Sequence, residues 1–259
     1  MTLAAAADTV ERMHRRVVTT ALVLSSALLT GCSALHDIQT GEAPGDVGGS
    51  SAPCLPRGME PDPSPTPSPT LDPHVAGELR SALAAVRALP AIGTVSERTG
   101  NAQSTAPDPD RSDCLLVENH FSSTIDVTMS PDATPAEAGA VPATLAAHLA
   151  WTEVSLTLTV PAGPGHVATV IHYDRTFDQT ITEAEATEIA GGLALLAATP
   201  HVTSVEASIP YTMRVDYGSM TVLVDPPDDA TLAAVRGVID ATVFRDTTLH
   251  GSFHNGAKP

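Results

Sequence analysis

An α+β fold is predicted for residues 74–259, and three observations carry the prediction. Apolar and polar residues alternate in short runs, as in Ile125-Asp126-Val127-Thr128-Met129 and Val154-Ser155-Leu156-Thr157-Leu158, which is the period of a half-buried strand. Between such runs stand Ala-rich stretches opened by Thr134-Pro135-Ala136-Glu137 and Thr182-Glu183-Ala184-Glu185, each a capping box that starts a helix. Aromatic residues are only 3% of the chain and Trp151 is the single tryptophan, so the core has to be built from Ala, Val, Leu and Ile. Small side chains of that kind suit helices packed on a sheet.

The elements follow in order. Asp72 and Pro73 supply an N-cap and a first-turn proline for a helix over about 74–89, with Val75, Leu79, Leu83, Val86 and Leu89 at helical spacing. A strand over 124–129 leads through Pro131-Asp132 into a second helix that runs from Pro135 to about Leu149. Strands over 154–160 and 167–173 flank Pro161-Ala162-Gly163-Pro164-Gly165, which reads as a hairpin loop. A third helix runs from the second capping box to about Ala198, and Pro200 ends it before a strand over 202–209. The order over 124–209 is strand, helix, strand, strand, helix, strand, and in that order alone it resembles a ferredoxin-like βαββαβ sandwich.

Residues 211–217 and 220–224, a helix over about 229–240 and a last strand near 245–253 complete the chain. Thr221-Val222-Leu223-Val224-Asp225-Pro226-Pro227-Asp228 echoes Ile125-Asp126-Val127-Thr128-Met129-Ser130-Pro131-Asp132, a weak internal repeat of strand, Pro-Asp turn and helix. Two readings stay open: a second ferredoxin-like half formed by the N-terminal helix with the C-terminal βαβ, or a coincidence of turn chemistry.

Charge excludes several function classes. The formal net charge is -17, with 30 acidic residues against 13 Lys and Arg, so nucleic acid and anionic lipid headgroups are repelled as partners. Lys258 is the only lysine, which leaves the interior of the fold without the lysine that a Walker-type loop, a Schiff base or a Ser-x-x-Lys dyad requires.

Near the N-terminus, Arg15 and Arg16 precede an apolar run from Val17 to Leu29 that is too short to span a bilayer and reads as a signal-peptide core. Leu29-Thr30-Gly31-Cys32 follows directly and resembles the lipobox of bacterial lipoproteins. The resemblance implies diacylglyceryl transfer to the Cys32 thiol, cleavage after Gly31, and a chain held by lipid on the extracytoplasmic face of a cell membrane. It covers about 20 residues around a signal of ordinary length. Asp8 and Glu11 are unusual ahead of such a core, whereas a start at Met13 gives a compact basic leader, so Met1 and Met13 both remain open as the start.

Residues 32–73 then read as a tether. The run Pro61-Asp62-Pro63-Ser64-Pro65-Thr66-Pro67-Ser68-Pro69-Thr70 has no apolar face to bury and suits an extended polyproline spacer. With Cys32 acylated, Cys54 and Cys114 form an even pair in an oxidising compartment, where a disulfide is the default expectation. Two unrelated thiols are the rival reading.

No catalytic, cofactor or metal motif stands out. Asp108, Asp110 and Asp113 lie close together before Cys114 but lack the glycine and terminal glutamate of a calcium loop. His166 and His172 share a strand face but are widely spaced, and His148 and His201 read as surface histidines. Glu153, Asp174, Asp178 and Glu206 could pair for glycoside hydrolysis only if the fold sets two of them at the right separation. Asp132, Asp228 and Asp229 are explained as helix caps, and Ser219, with no Gly-x-Ser-x-Gly elbow, as part of a hairpin turn. The expected function is therefore a non-enzymatic, membrane-anchored envelope module that contacts a protein or cell-wall component. A small-ligand-binding lipoprotein and an envelope hydrolase are the alternatives.

Overall fold

A computed structural model describes residues 69–107, 114–175, 177 and 180–253, together with the backbone of Leu55–Pro56; of Cys114, too, only the backbone is described. The described residues form an α+β fold, with four helices and one mixed sheet of eight strands among them. In chain order these are β1 (Leu55–Pro56), α1 (Pro73–Arg87), β2 (Ile92–Pro107), β3 (Cys114–Met129), α2 (Pro135–His148), β4 (Val154–Val160) and β5 (Thr169–Asp174). They continue with α3 (Glu183–Ala197), β6 (Val202–Ile209), a 3-10 turn (Val215–Tyr217), β7 (Ser219–Val224), α4 (Asp229–Asp240) and β8 (Thr248–Gly251).

The helices begin where their caps dictate. Asp72 accepts hydrogen bonds from the amides of His74 and Val75, and both predicted capping boxes close: Thr134 with Glu137, and Thr182 with Glu185. Each satisfies amides that the first helical turn leaves without intrahelical partners. Asp228 caps α4 by accepting from the Thr231 amide at 2.8 Å.

Every strand from β2 to β8 lies beside its neighbours in sequence. Hairpins join the antiparallel pairs β2/β3, β4/β5 and β6/β7, and a helix crosses between each parallel pair, β3/β4, β5/β6 and β7/β8. Ile125, Leu156, Ile171, Ala207 and Met220 face one way and form a single core with the inner faces of the helices. All four helices therefore cover one face of the sheet. The crossovers through α2 and α3 advance in the same direction on strands that run opposite ways, so with both helices on one face the two have opposite hands. That departs from the near-universal right-handed rule for such connections.

The element order expected over 124–209 is present, but the ferredoxin-like assembly does not follow from it. A split βαβ unit needs another strand inserted between its parallel partners, whereas here the parallel partners are adjacent. The expectation of a half built from the N-terminal helix and the C-terminal βαβ is also corrected. α1 packs beside α2 and β2, while α4 packs beside α3 and β8 closes the opposite edge of the sheet.

A repeat is nonetheless present, and its halves are contiguous. In both α1-β2-β3-α2-β4 and α3-β6-β7-α4-β8 the first helix leads through a proline to a residue in the left-handed region, Ala91 (φ 58) or His201 (φ 70). In each, the register shifts after the first strand residue, between Ile92 and Thr94 or between Val202 and Ser204. In each, the carbonyl of the left-handed residue accepts from the amide that follows the second strand, Ser130 to Ala91 at 2.7 Å and Asp225 to His201 at 2.9 Å. The echo between Ile125–Asp132 and Thr221–Asp228 is thus the strand-turn-helix passage of two equivalent units.

The strand β2 and the first half of β3 were not expected. β2 is Ser-, Thr- and Gly-rich and exposed along most of its length, because beyond Gly100 it pairs with β3 in a ribbon that extends past the helices. Without a covered face it has no apolar alternation to betray it.

Candidate functional site

The face of the sheet opposite the helices carries no second layer among the described residues. Strand register lines its outward side chains into rows. Asp126, Thr157, His172, Ser208, Ser219 and Thr248 stand side by side across β3 to β8, and Thr128, Thr159, Val170, Glu206, Thr221 and His250 form the next row. Neighbouring strands are about 4.8 Å apart and successive outward residues on a strand about 7 Å apart, so the face is a regular lattice of hydroxyl and carboxylate groups.

These side chains hold one another. His172 lies with Nε2 3.1 Å from Glu206 Oε1 and Nδ1 3.2 Å from Thr157 Oγ1. Ser155 donates to Asp174 at 3.1 Å, and Arg98 reaches Asp126 at 3.5 Å. The pairs are partly solvated, so each fixes orientation more than it adds stability.

At one end of this face the loops before β4, after β5 and after β6 enclose an open cleft of about 470 Å³ lined by Thr152, Asp174, Arg175 and Tyr211. Arg175 has a φ of 51° and places its guanidinium 3.3 Å from Glu153. Tyr211 is 64% exposed and Tyr217, on the same loop, 62%, which puts two of the three tyrosines of an aromatic-poor chain at the surface here. Arg214 stacks over Tyr217 at 4.2 Å and makes a forked contact with Asp216 that raises its own pKa. The helix side carries a second open depression, about 500 Å³, bordered by Leu89, Pro90 and the alanines of α2.

The residues singled out from sequence are dispersed over this scaffold. His166 packs its ring nitrogens 2.9 Å from the Pro131 carbonyl and 3.0 Å from that of Val167, and His201 places Nδ1 3.1 Å from the Asp225 carbonyl, so both tie loops together. Glu153, Asp174 and Glu206 each engage a different partner. Glu206 stands opposite Val170, four residues from Asp174, so at about 3.3 Å per residue their backbones are offset by about 13 Å along the strands. Ser219 opens β7 and lies in an outward row. Cys32, Cys54, Asp108, Asp110, Asp113 and Asp178 lie outside the described residues. Among the described residues there is no group of three His, Cys, Asp or Glu that could hold a metal ion, and no helix is long and apolar enough to cross a membrane.

Sequence reasoning named His172, Asp174, Glu206 and Ser219 but not the surface they share. The alternation of each strand marks its outward residues; that no layer covers them depends on where the helices go. No family model, curated protein or solved structure matches this chain.

Proposed function

We propose that the protein is a lipoprotein of the cell envelope, acylated on Cys32 and held on the extracytoplasmic face of a membrane. There it acts as a non-enzymatic interaction module that offers its open sheet face to a protein or cell-wall partner. One observation carries the interaction reading: a wide sheet face is uncovered, and its ionisable groups each engage a neighbouring side chain, His172 with Glu206, Asp174 with Ser155 and Asp126 with Arg98, instead of converging on one reacting centre. The acidic balance argues against nucleic acid and for attachment through lipid rather than through a basic patch. Residues 32–73 serve as the spacer that lets the face reach a partner.

A disulfide between Cys54 and Cys114 belongs to the same reading. Leu55 pairs with Leu115 and Pro56 with Cys114; this register brings the two stretches together but sets Cys114 opposite Pro56, two residues on from Cys54, so the bond requires a local backbone shift. A small-ligand-binding lipoprotein finds its support in the cleft beside Tyr211, and an envelope hydrolase finds less, given that Asp174 and Glu206 engage different partners.

The test is membrane fractionation and intact mass of the native protein beside a Cys32→Ala variant, with photo-crosslinkers placed at Thr159 or Thr221. Acyl mass on Cys32, loss of membrane retention in the variant and a dominant crosslinked neighbour are expected. An unmodified wild type in the soluble fraction overturns the anchor, and crosslinking no stronger than from Leu195 on the helix side overturns the surface.

A further inference from the structure

We propose that the open face binds an uncharged polysaccharide strand, with the Tyr211 cleft as its terminal subsite. The proposal rests on the reading of this face as an interaction surface and names the partner's chemistry.

Two properties of the face favour a glycan over a polypeptide. From Ser122 of β3 through β7 the outward positions are Ser, Thr, Asp, Glu and His, with Val170 and Leu223 the apolar exceptions, whereas protein interfaces need a buried apolar or aromatic centre. A lattice of hydroxyls and carboxylates instead offers donors and acceptors at every step. Sugar hydroxyls, which both donate and accept, can exchange with it without leaving polar groups unpaired.

Charge narrows the class. Asp126, Asp174 and Glu206 lie on this face of a chain with net charge -17, which repels phosphate- or carboxylate-rich polymers and leaves uncharged ones unopposed.

The cleft supplies what the flat rows lack. Tyr211 contributes an exposed aromatic ring for the C–H face of a sugar, while Thr152, Asp174 and Arg175 present hydrogen-bonding groups within the same cleft. Asp174 belongs to both regions. It lines the cleft and accepts from Ser155 on the open face, so a strand seated against Tyr211 continues onto the row that holds Thr157 and His172.

The full-length protein in detergent micelles, titrated with the β-1,4-linked tetramer of N-acetylglucosamine and followed by amide NMR shifts, tests this. Saturable shifts over 155–159, 170–174 and 204–211 are expected, with affinity reduced at least about fivefold, near 1 kcal/mol, in Tyr211→Ala and unchanged in Tyr217→Ala. Absence of saturable shifts up to about 10 mM, shifts confined to the helix side, or equal affinity in Tyr211→Ala overturns the glycan. If the crosslinkers at Thr159 and Thr221 still capture a protein neighbour while the tetramer fails, the interaction reading stands and the glycan assignment falls.

Discussion

Gly139 of α2 lies so close to Thr187 of α3 that a methyl group built on it would stand 2.5 Å from the Thr187 amide nitrogen and 2.7 Å from its Cα. The obstruction is backbone, which a rotamer change cannot clear. Ala138, Ala186 and Ala190 bury small side chains in the same core, so the tight layer of helices is where the Ala-rich composition finds its use.

Gly139→Ala should therefore lower stability by about 1–3 kcal/mol through overpacking, although alanine is the better helix former. Gly77→Ala in α1, where nothing lies within 4 Å, should raise it by about 0.5–1 kcal/mol. Urea unfolding of the two variants checks both signs. Equal effects would mean that α2 and α3 are not in close contact in solution.

Tyr173 is 1% exposed, and its hydroxyl has no hydrogen-bond partner among the described residues. Burial pushes its pKa above the ordinary tyrosine value. Tyr173→Phe removes a polar atom that gains nothing from the fold and should leave stability unchanged or raise it by about 1 kcal/mol. Thermal unfolding at neutral pH decides; a loss of stability would show that the hydroxyl is bonded after all.

Acid should loosen the turn ahead of α2 and the start of α4; α2 itself is capped by Thr134 and not, as expected from sequence, by Asp132. Hydrogen bonds hold the carboxyl of Asp132, through Ser130, and that of Asp228, through the Thr231 amide, below the usual carboxylate value. A carboxyl with a lowered folded pKa stabilises the fold above its unfolded value, and that contribution fades as pH falls from about 4 through the folded value. Asp228→Asn keeps an N-cap acceptor that does not titrate. Its thermal midpoint should fall less steeply than that of the wild type below about pH 4, whereas identical slopes would exclude Asp228 as a contributor.

If Cys54 and Cys114 are joined, alkylation of the unreduced, denatured protein should label neither, and reduction should release two thiols. Closing a loop of about 60 residues is worth about 4 kcal/mol in the chain-entropy model, so Cys54→Ser should lower stability by up to that amount. Alkylation of both cysteines before reduction would favour two unrelated thiols.

Local chemistry was legible in the sequence and assembly was not. Asp72, Thr134, Thr182 and Asp228 cap helices as their surroundings predict, because a cap is decided within four residues. The strands 154–160 and 202–209 fall where alternation puts them. Strand order leaves no such trace, since βαββαβ describes both a split arrangement and the sequential one found here. The Ser/Thr-rich β2 escaped because it buries little, and the open face escaped because its outward residues read as ordinary solvated positions until the helices are placed.

The sequential sheet also bears on how the chain reaches its fold. Each strand from β2 onward meets its partner in the segment just before or just after it, so contacts close over short stretches and the relative contact order is low for a β-rich protein. A chain emerging N-terminus first can close β2 on β3, add α2 and β4, and continue unit by unit. No strand waits for the C-terminus, and the unpaired edge exposed at any moment is a single strand wide.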